Sequence, residues 1–152
     1  MKILFVCLGN TCRSPMAEAL YKKTSKLFGR DDFVASCGIS AKEGEKANNK
    51  AVVIMAGKDI DITSHNSHQI TEKDINAFDL VLCMDNDIAD WIIAKYPPAN
   101  CNKIYYFGAF VGRSSSEVND PFNGTLDEYR ARAELLDVLT TALARTLNDT
   151  CS

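Results

Sequence analysis

Short apolar runs alternate with longer stretches of helical periodicity along the chain. The first run, Lys2–Val6, is typical of a strand that is buried on both faces of a parallel sheet. Comparable runs at Phe33–Ala35, Leu80–Met84 and Ile104–Phe107 predict three more strands. We expect the first of these strands to lie at the centre of the sheet.

The segments between these strands predict helices. Ser14 and Pro15 suit the N-cap and first position of the first helix, and Gly29 suits its end. A second helix is predicted through Ala51–Met55, with a stop at Gly57, and a third begins after a Thr71 cap with Asp74 in its first turn. A fourth runs from an Asp85 cap toward Lys95, and a last helix passes through Leu135–Leu143. Pro97 and Pro98 would end the helix that follows Asp85.

The alternation of strand and helix predicts a three-layer α/β/α fold with a central four-stranded parallel sheet. With 152 residues, 46% of them hydrophobic, the chain is long enough for one domain, residues 1–152. A long loop is predicted from Gly108 to Gly124, and loops of that length usually bind or cover something. We expect it to meet the turn after the first strand, beyond the carboxyl ends of the strands.

Charge and cysteine content narrow the function classes. The chain has 17 Lys plus Arg and 20 Asp plus Glu, a net charge of -3 that gives no basis for general nucleic-acid binding. The apolar run at Ile3–Leu8 is too short for a signal peptide, and no later run is long enough to span a membrane. We therefore expect a reducing cytoplasm, where the six cysteines serve packing, metal binding or reactivity.

The turn after the first strand carries the clearest chemical pattern, Cys7-Leu8-Gly9-Asn10-Thr11-Cys12-Arg13-Ser14. This turn lies between a strand and a helix N-terminus, and Gly9 permits it to be tight. Its backbone N–H groups can therefore surround a tetrahedral anion. Arg13 can hold two phosphate oxygens, and the same field favours the Cys7 thiolate as a nucleophile. An ordinary capped turn after a buried cysteine is the alternative, but the complete strand–Cys-x5-Arg–helix context disfavours it.

A proton donor for the leaving group is the second requirement of such chemistry. Asp120-Pro121-Phe122 lies in the long loop, where the proline stiffens the backbone. A partly desolvated carboxyl can stay protonated long enough to act as a general acid. Alone, Asp-Pro indicates a turn, but its predicted place opposite the Cys7 loop makes Asp120 the candidate acid.

The segment Val6–Glu18, together with Asp120-Pro121-Phe122, resembles the low-molecular-weight protein tyrosine phosphatases, and the resemblance covers essentially the whole chain. It implies that Cys7 attacks phosphorus to form a phosphocysteine, while Arg13 and the loop amides stabilise the equatorial oxygens. Asp120 would protonate the leaving group and then activate the water that hydrolyses the intermediate. Phosphorylated proteins or peptides would be the substrates and inorganic phosphate the product, with the enzyme a monomer.

The resemblance also implies supporting roles. Ser14 would hydrogen-bond the Cys7 sulfur, and the phosphate-binding loop would comprise Leu8, Gly9, Asn10, Thr11, Cys12, Arg13 and Ser14. Asn10, Ser14, Ser36 and His65 would brace this loop, and Leu8 and Phe122 would form the substrate wall. No metal or other cofactor is implied, and His65 and His68 stand three apart without a further ligand pattern.

The remaining cysteines divide into two groups. In family members with a second cysteine in the loop, that residue forms a reversible disulfide with the nucleophile, which implies such a role for Cys12; a small apolar filler is the alternative. We assign packing or surface positions to the other four, Cys37, Cys83, Cys101 and Cys151.

Two other activities on this fold are disfavoured. Arsenate reductases relay oxidation through two further cysteines, and Cys83 on the third strand has no second cysteine after it in Met84–Ile93. A non-catalytic module that binds phosphorylated residues would be expected to lose Cys7 or Asp120, and both are present. These two observations favour a phosphatase.

The substrate is a choice between two phosphorylated residues. Phosphotyrosine, the usual substrate of the family, is our first expectation. Phosphoarginine is the alternative, because Thr11 stands where tyrosine phosphatases often carry isoleucine and resembles the bacterial branch that acts on arginine. Phe122 and Asn123 replace a tyrosine pair of many members, and Ala41-Lys42-Glu43 lacks the aromatic residue that often stacks on the substrate ring.

Overall fold

A four-stranded parallel sheet forms the centre of the computed structural model, which describes residues 1–96 and 102–150. The strands are β1 (Lys2–Cys7), β2 (Phe33–Gly38), β3 (Leu80–Cys83) and β4 (Ile104–Tyr106), in the order β2-β1-β3-β4. Ile3 of β1 lies opposite Val34 on one side and Leu80 on the other. The predicted fold class and the central place of β1 are both confirmed.

Six helices are present in the described residues: α1 (Arg13–Leu27), α2 (Asn49–Ala56), α3 (Glu72–Ala77), α4 (Asn86–Lys95), α5 (Phe107–Phe110) and α6 (Leu126–Thr150). The predicted caps are confirmed at Thr71, which forms a capping box with Asp74, and at Asp85, which accepts the N–H of Ile88. Gly29 lies just beyond α1 with a φ of 70°. Pro97 and Pro98, the predicted end of α4, lie outside the described residues, as do Cys101 and Cys151.

The start of the first helix differs from the prediction. Helix α1 begins at Arg13, its N-cap is Cys12, and no side chain caps it. Ser14 lies inside the helix, where its hydroxyl contacts the Cys7 sulfur. The prediction of Ser14 as the N-cap is wrong, because the preceding loop curls tightly enough for the Ser14 hydroxyl to contact Cys7.

The predicted fourth strand and long loop are also shorter than expected. Phe107 was predicted in the strand, but it begins α5 and packs its buried ring 5.3 Å from that of Phe5. Burial alone cannot distinguish strand from helix here, because both conformations would bury this apolar residue. Past α5, the loop returns to the sheet, since Val118 donates its N–H to the Met84 carbonyl at 3.0 Å. This hydrogen bond brings the residues after Val118 to the carboxyl end of β3.

The hydrophobic core surrounds β1. Residues Ile3–Cys7 are all at most 2% exposed, and helices α1 and α6 pack against each other beside the sheet. Cys37 and Cys83 are buried free thiols, as their predicted packing role requires. In residues 1–96 and 102–150, no helix has the length and apolar character needed to cross a membrane.

Candidate active site

The segment from Cys7 to Ser14 forms a tight loop between β1 and α1. Its left-handed residue is Asn10, with a φ of 57°, whereas Gly9 does not have positive φ. Gly9 was predicted to permit the tight turn, but the left-handed conformation in this turn belongs to Asn10; asparagine tolerates this region better than most residues and can stabilise it with its amide.

Asn10 is completely buried, and its side chain connects three segments of the chain. Its Nδ2 donates to Ser14 Oγ at 2.8 Å and to Ser36 Oγ at 3.0 Å, and its Oδ1 accepts the N–H of His68 at 2.9 Å. Its carbonyl oxygen lies 2.7 Å from His65 Nε2. The structure thus brings together the four residues predicted to brace the loop, and adds the backbone of His68 to them.

Cys7 lies at the carboxyl end of β1 and is 1% exposed. The Asn10 N–H donates to its Sγ at 3.2 Å, and Ser14 Oγ lies 2.9 Å from the same sulfur. These two contacts fix the direction of the Cys7 sulfur at the base of the loop.

Gly38 at the end of β2 allows the loop to lie against the sheet. A Cβ at this position would approach the Leu8 carbonyl oxygen to 2.5 Å and the Asn10 nitrogen to 3.0 Å. The next residues hold the loop directly, since the N–H groups of Ile39 and Ser40 donate to the carbonyls of Cys7 and Leu8. Sequence reasoning missed Gly38, because only the parallel register of β1 and β2 brings it there.

Arg13 is buried and is oriented by acceptors from two distant segments. Its Nη1 donates to Asp85 Oδ2 at 2.9 Å and to the Val118 carbonyl at 3.0 Å. Its Nη2 lies 3.6 Å from Asp120 Oδ2, and its Nε has no hydrogen-bond partner among residues 1–96 and 102–150. Asp85 was assigned only as a helix cap from the sequence, so its contact with Arg13 was missed; the separation of 72 residues leaves no local signal.

Asp120 lies on the irregular segment before α6, with its side chain 35% exposed. Its Oδ1 accepts the N–H of Phe122 at 3.0 Å, and the sulfur of Cys12 lies 3.9 Å from the same oxygen. The carboxyl group is therefore accessible from solvent and lies next to Cys12 of the loop. This is the position that a proton donor to a group bound in the loop would need.

A cavity of about 360 Å³ opens above the loop. It is lined by residues of the loop, of the connection after β2 and of the segment 119–124 that carries Asp120 (the acidic segment): Cys7, Leu8, Gly9, Thr11, Cys12, Arg13, Ser40, Lys42, Glu45, Asp120 and Phe122. Leu8 and Phe122 are exposed on its rim, at 45% and 68%. The structure thus gathers the predicted nucleophile, arginine, acid and substrate wall around one opening.

The surroundings of Cys12 oppose the loss of its thiol proton. Burial, the neighbouring Cys7 and the Asp120 carboxylate together raise the pKa of its thiol to about 12. Cys12 is therefore a neutral thiol at pH 7.

Ser67 holds the cavity wall that contains Lys42 and Glu45. Its Oγ donates to the Lys42 carbonyl and accepts the N–H of Glu45 at 2.8 Å, and its own N–H donates to the Glu45 carbonyl at 2.8 Å. Ser67 is 2% exposed, so the wall rests on a buried anchor. Neither this anchor nor the presence of Lys42 and Glu45 in the cavity was predicted from the sequence.

With this geometry established, comparisons with known proteins identify the family. A family model described as low molecular weight phosphotyrosine protein phosphatase matches residues 2–152. The chain belongs to this family. Its members hydrolyse phosphomonoesters, so the chain is a hydrolase of that class.

Individual relatives in this phosphatase family carry two different substrate names. A protein-arginine-phosphatase of Geobacillus stearothermophilus is 37% identical over 96% of this chain and 95% of its own length. A low molecular weight protein-tyrosine-phosphatase, PtpB, of Staphylococcus haemolyticus is 34% identical over 90% and 92%. The crystal structure of a YwlE mutant from Bacillus subtilis has a TM-score of 0.93 at 36% identity, covering 97% of this chain and 99% of that one.

Proposed function

We propose that this phosphatase removes phosphate from protein side chains through a phosphocysteine intermediate, with phosphotyrosine as its first substrate. The observation that supports this most strongly is that Cys7, Arg13 and Asp120 line one cavity above a loop that can hold a phosphate. Each residue matches a requirement of the reaction: a nucleophile, a bidentate cation and a proton donor.

In the first step, the Cys7 thiolate attacks phosphorus, the P–S bond forms and the bond from phosphorus to the leaving oxygen breaks. Arg13 and the loop N–H groups bind the equatorial oxygens as charge develops on them. Protonated Asp120 gives its proton to the leaving phenolate oxygen, so that tyrosine departs neutral.

In the second step, Asp120 is a carboxylate and accepts a proton from the attacking water. The water oxygen bonds to phosphorus, the P–S bond breaks and inorganic phosphate is released. The Ser14 hydroxyl, 2.9 Å from Cys7 Sγ, donates to the departing thiolate and stabilises it.

The exposed rim supports phosphotyrosine. Leu8 and Phe122 both line the cavity and offer exposed apolar surface, as a substrate ring requires. The family description and the tyrosine phosphatase relatives agree with this choice.

Phosphoarginine is the second candidate, and the polar residues that line the cavity favour it. Thr11 and Glu45 line the cavity together with Asp120, which places a hydroxyl and two carboxyl groups around the opening. A guanidinium needs such acceptors for its N–H groups, whereas a phenyl ring does not. The protein-arginine-phosphatase relatives point in the same direction.

For Cys12 we propose the role that the family resemblance implies, a reversible disulfide with Cys7. Oxidation of Cys7 to a sulfenic acid by a peroxide would be followed by attack of the Cys12 sulfur, which forms the disulfide and releases water. Because Cys12 is a neutral thiol at pH 7, its proton must leave as the S–S bond forms. Free thiols at Cys7, Cys12, Cys37 and Cys83 support a reducing cytoplasmic location for the protein.

Phosphatase activity on matched peptides tests this function. The enzyme should release phosphate from a phosphotyrosine peptide, Cys7→Ser should abolish turnover, and Asp120→Ala should reduce kcat/KM on the order of 10²-fold or more. Wild-type rates in either variant would refute the assignment of the site. A phosphoarginine peptide of the same sequence, hydrolysed faster than the phosphotyrosine peptide, would replace the first substrate by the second.

A further inference from the structure

The ion pair with Arg13 is not enough to hold Asp120 in place during the reaction. Its carboxyl group lies 3.6 Å from Arg13, and this attraction acts only on the ionised form. A general acid must be protonated before it reacts, and Arg13 must then bind the phosphoryl group. The ion pair therefore cannot hold Asp120 during the step in which it donates its proton.

The segment that contains Asp120 forms a hydrogen-bonded turn. The N–H of Phe122 donates to Asp120 Oδ1 at 3.0 Å, and the N–H of Gly124 donates to the Pro121 carbonyl at 2.6 Å. Asn123 completes this turn in the left-handed region, with a φ of 62°. Anchors at the two ends of the turn would thus fix the backbone of Asp120.

Two cationic side chains provide such anchors. Lys50 on α2 donates from Nζ to the Gly124 carbonyl at 2.5 Å, and Arg132 on α6 donates from Nε to the Asn119 carbonyl at 3.0 Å. Both acceptors are backbone carbonyls, so neither bond depends on the protonation state of Asp120. Bonds from charged donors are also stronger than those between neutral groups.

Lys50 additionally couples the acidic segment to the phosphate-binding loop. It lies in the first turn of α2, whose N-cap Asn48 donates its N–H to the Thr11 carbonyl at 2.8 Å. The Lys50 ammonium is 5.9 Å from the ring centroid of Tyr129, a residue only 1% exposed. One side of Lys50 is thus joined to the loop that holds phosphate, and the other to the segment that holds the acid.

We propose that Lys50, assisted by Arg132, is a positioning residue that holds Asp120 at protonation distance from the leaving group. The proposal rests on the proposed function, in which Asp120 is the general acid. Lys50 does not contact the reacting atoms; it acts through the Gly124 carbonyl. Its loss should weaken proton donation more than phosphate binding.

Leaving-group dependence tests this role, because a phenolate needs protonation to depart and 2,4-dinitrophenolate does not. The readout is kcat/KM for 2,4-dinitrophenyl phosphate divided by kcat/KM for phenyl phosphate. Lys50→Met should raise this ratio on the order of tenfold or more, since small misplacements of a catalytic group are costly. Lys50→Arg should restore it, and Arg132→Met should raise it in the same direction.

Lys58→Met is the matched control, because Lys58 also bonds to a neighbouring segment, through Glu134 and Asp137 of α6, away from the cavity. It should leave the ratio unchanged.

An unchanged ratio in folded Lys50→Met, while Asp120→Ala raises it, would overturn the positioning role alone. An unchanged ratio in Asp120→Ala would overturn the proposed general acid and the positioning role with it. In an Asp120→Ala background, Lys50→Met should have no further effect on the ratio.

Discussion

Asp85 holds the guanidinium of Arg13 and the start of helix α4 with the same carboxylate. Its Oδ2 accepts from Arg13 Nη1 at 2.9 Å, and its Oδ1 accepts from the N–H of Ile88 at 2.9 Å. Since Arg13 is 2% exposed, its direction depends on these fixed acceptors rather than on solvent. The geometry of phosphate binding is thus connected to the cap of a helix on another part of the sheet.

Replacing Asp85 by asparagine should separate its two roles. Asn keeps an oxygen for the Ile88 N–H but turns an amide donor toward Arg13, so two donors face each other. We expect Asp85→Asn to lower kcat/KM for an aryl phosphate on the order of tenfold or more, because the guanidinium loses its orientation. Its free energy of unfolding should fall less than that of Asp85→Ala, which loses the cap as well, worth about 1 kcal/mol. Equal stability of the two variants would contradict the capping role.

Thr11→Ile should distinguish the two candidate substrates. Thr11 lines the cavity, so isoleucine would remove a hydroxyl and add apolar surface beside the bound side chain. The ratio of phosphoarginine to phosphotyrosine hydrolysis on matched peptides should fall. Glu45→Gln, which removes charge from the same cavity with little change in shape, should lower the ratio as well. If neither substitution changes the ratio, the Thr11 hydroxyl and the Glu45 carboxylate do not select the substrate.

The parts of the fold that depend on local pattern could be predicted from the sequence. Alternating runs give the strands, and the capping residues Thr71 and Asp85 give two helix starts. The Cys7–Arg13 loop is also local, since all of its residues are consecutive. Local pattern failed at Ser14, whose hydroxyl contacts Cys7 instead of capping the helix, and at Phe107, whose burial is compatible with both strand and helix.

The parts of the site that could not be predicted are long-range contacts. Asp85 reaches Arg13 from 72 residues away, and Lys50 reaches Gly124 from 74. Gly38 matters only because β2 lies beside β1. Each of these residue types is common on protein surfaces, so the tertiary fold alone reveals what it contacts.

Cys12→Ser should change how the enzyme survives oxidation. In the unmodified enzyme, a disulfide from Cys7 to Cys12 would protect the nucleophile, and a thiol reductant should restore activity after treatment with hydrogen peroxide. In Cys12→Ser, the Cys7 sulfenic acid has no such partner and should oxidise further, so recovery should be largely lost. Phosphatase activity before and after reduction measures this. Equal recovery in both proteins would favour the alternative that Cys12 only fills space.

His68 should make stability depend on pH near neutrality. Partial burial opposes its charged form, but the hydrogen bond and charge of Asp74, with those of Glu43, raise the pKa of His68 above its ordinary value. Its Nε2 lies 2.8 Å from Asp74 Oδ2, and its Nδ1 lies 3.1 Å from Glu43 Oε1. A raised pKa means that the stabilisation is complete below the unfolded value of about 6.5 and is lost as pH rises through the folded value.

The free energy of unfolding of the native protein minus that of His68→Gln should therefore be larger at pH 6 than at pH 8.5. The difference should be no more than about 1 kcal/mol, because solvent screens these charges. His65, the other of the two histidines in the chain, is present in both proteins, so the subtraction isolates the effect of His68. Urea denaturation at the two pH values measures the effect. If the difference in unfolding free energy does not change with pH, His68 contacts Glu43 and Asp74 as a neutral hydrogen-bonding group rather than as a cation.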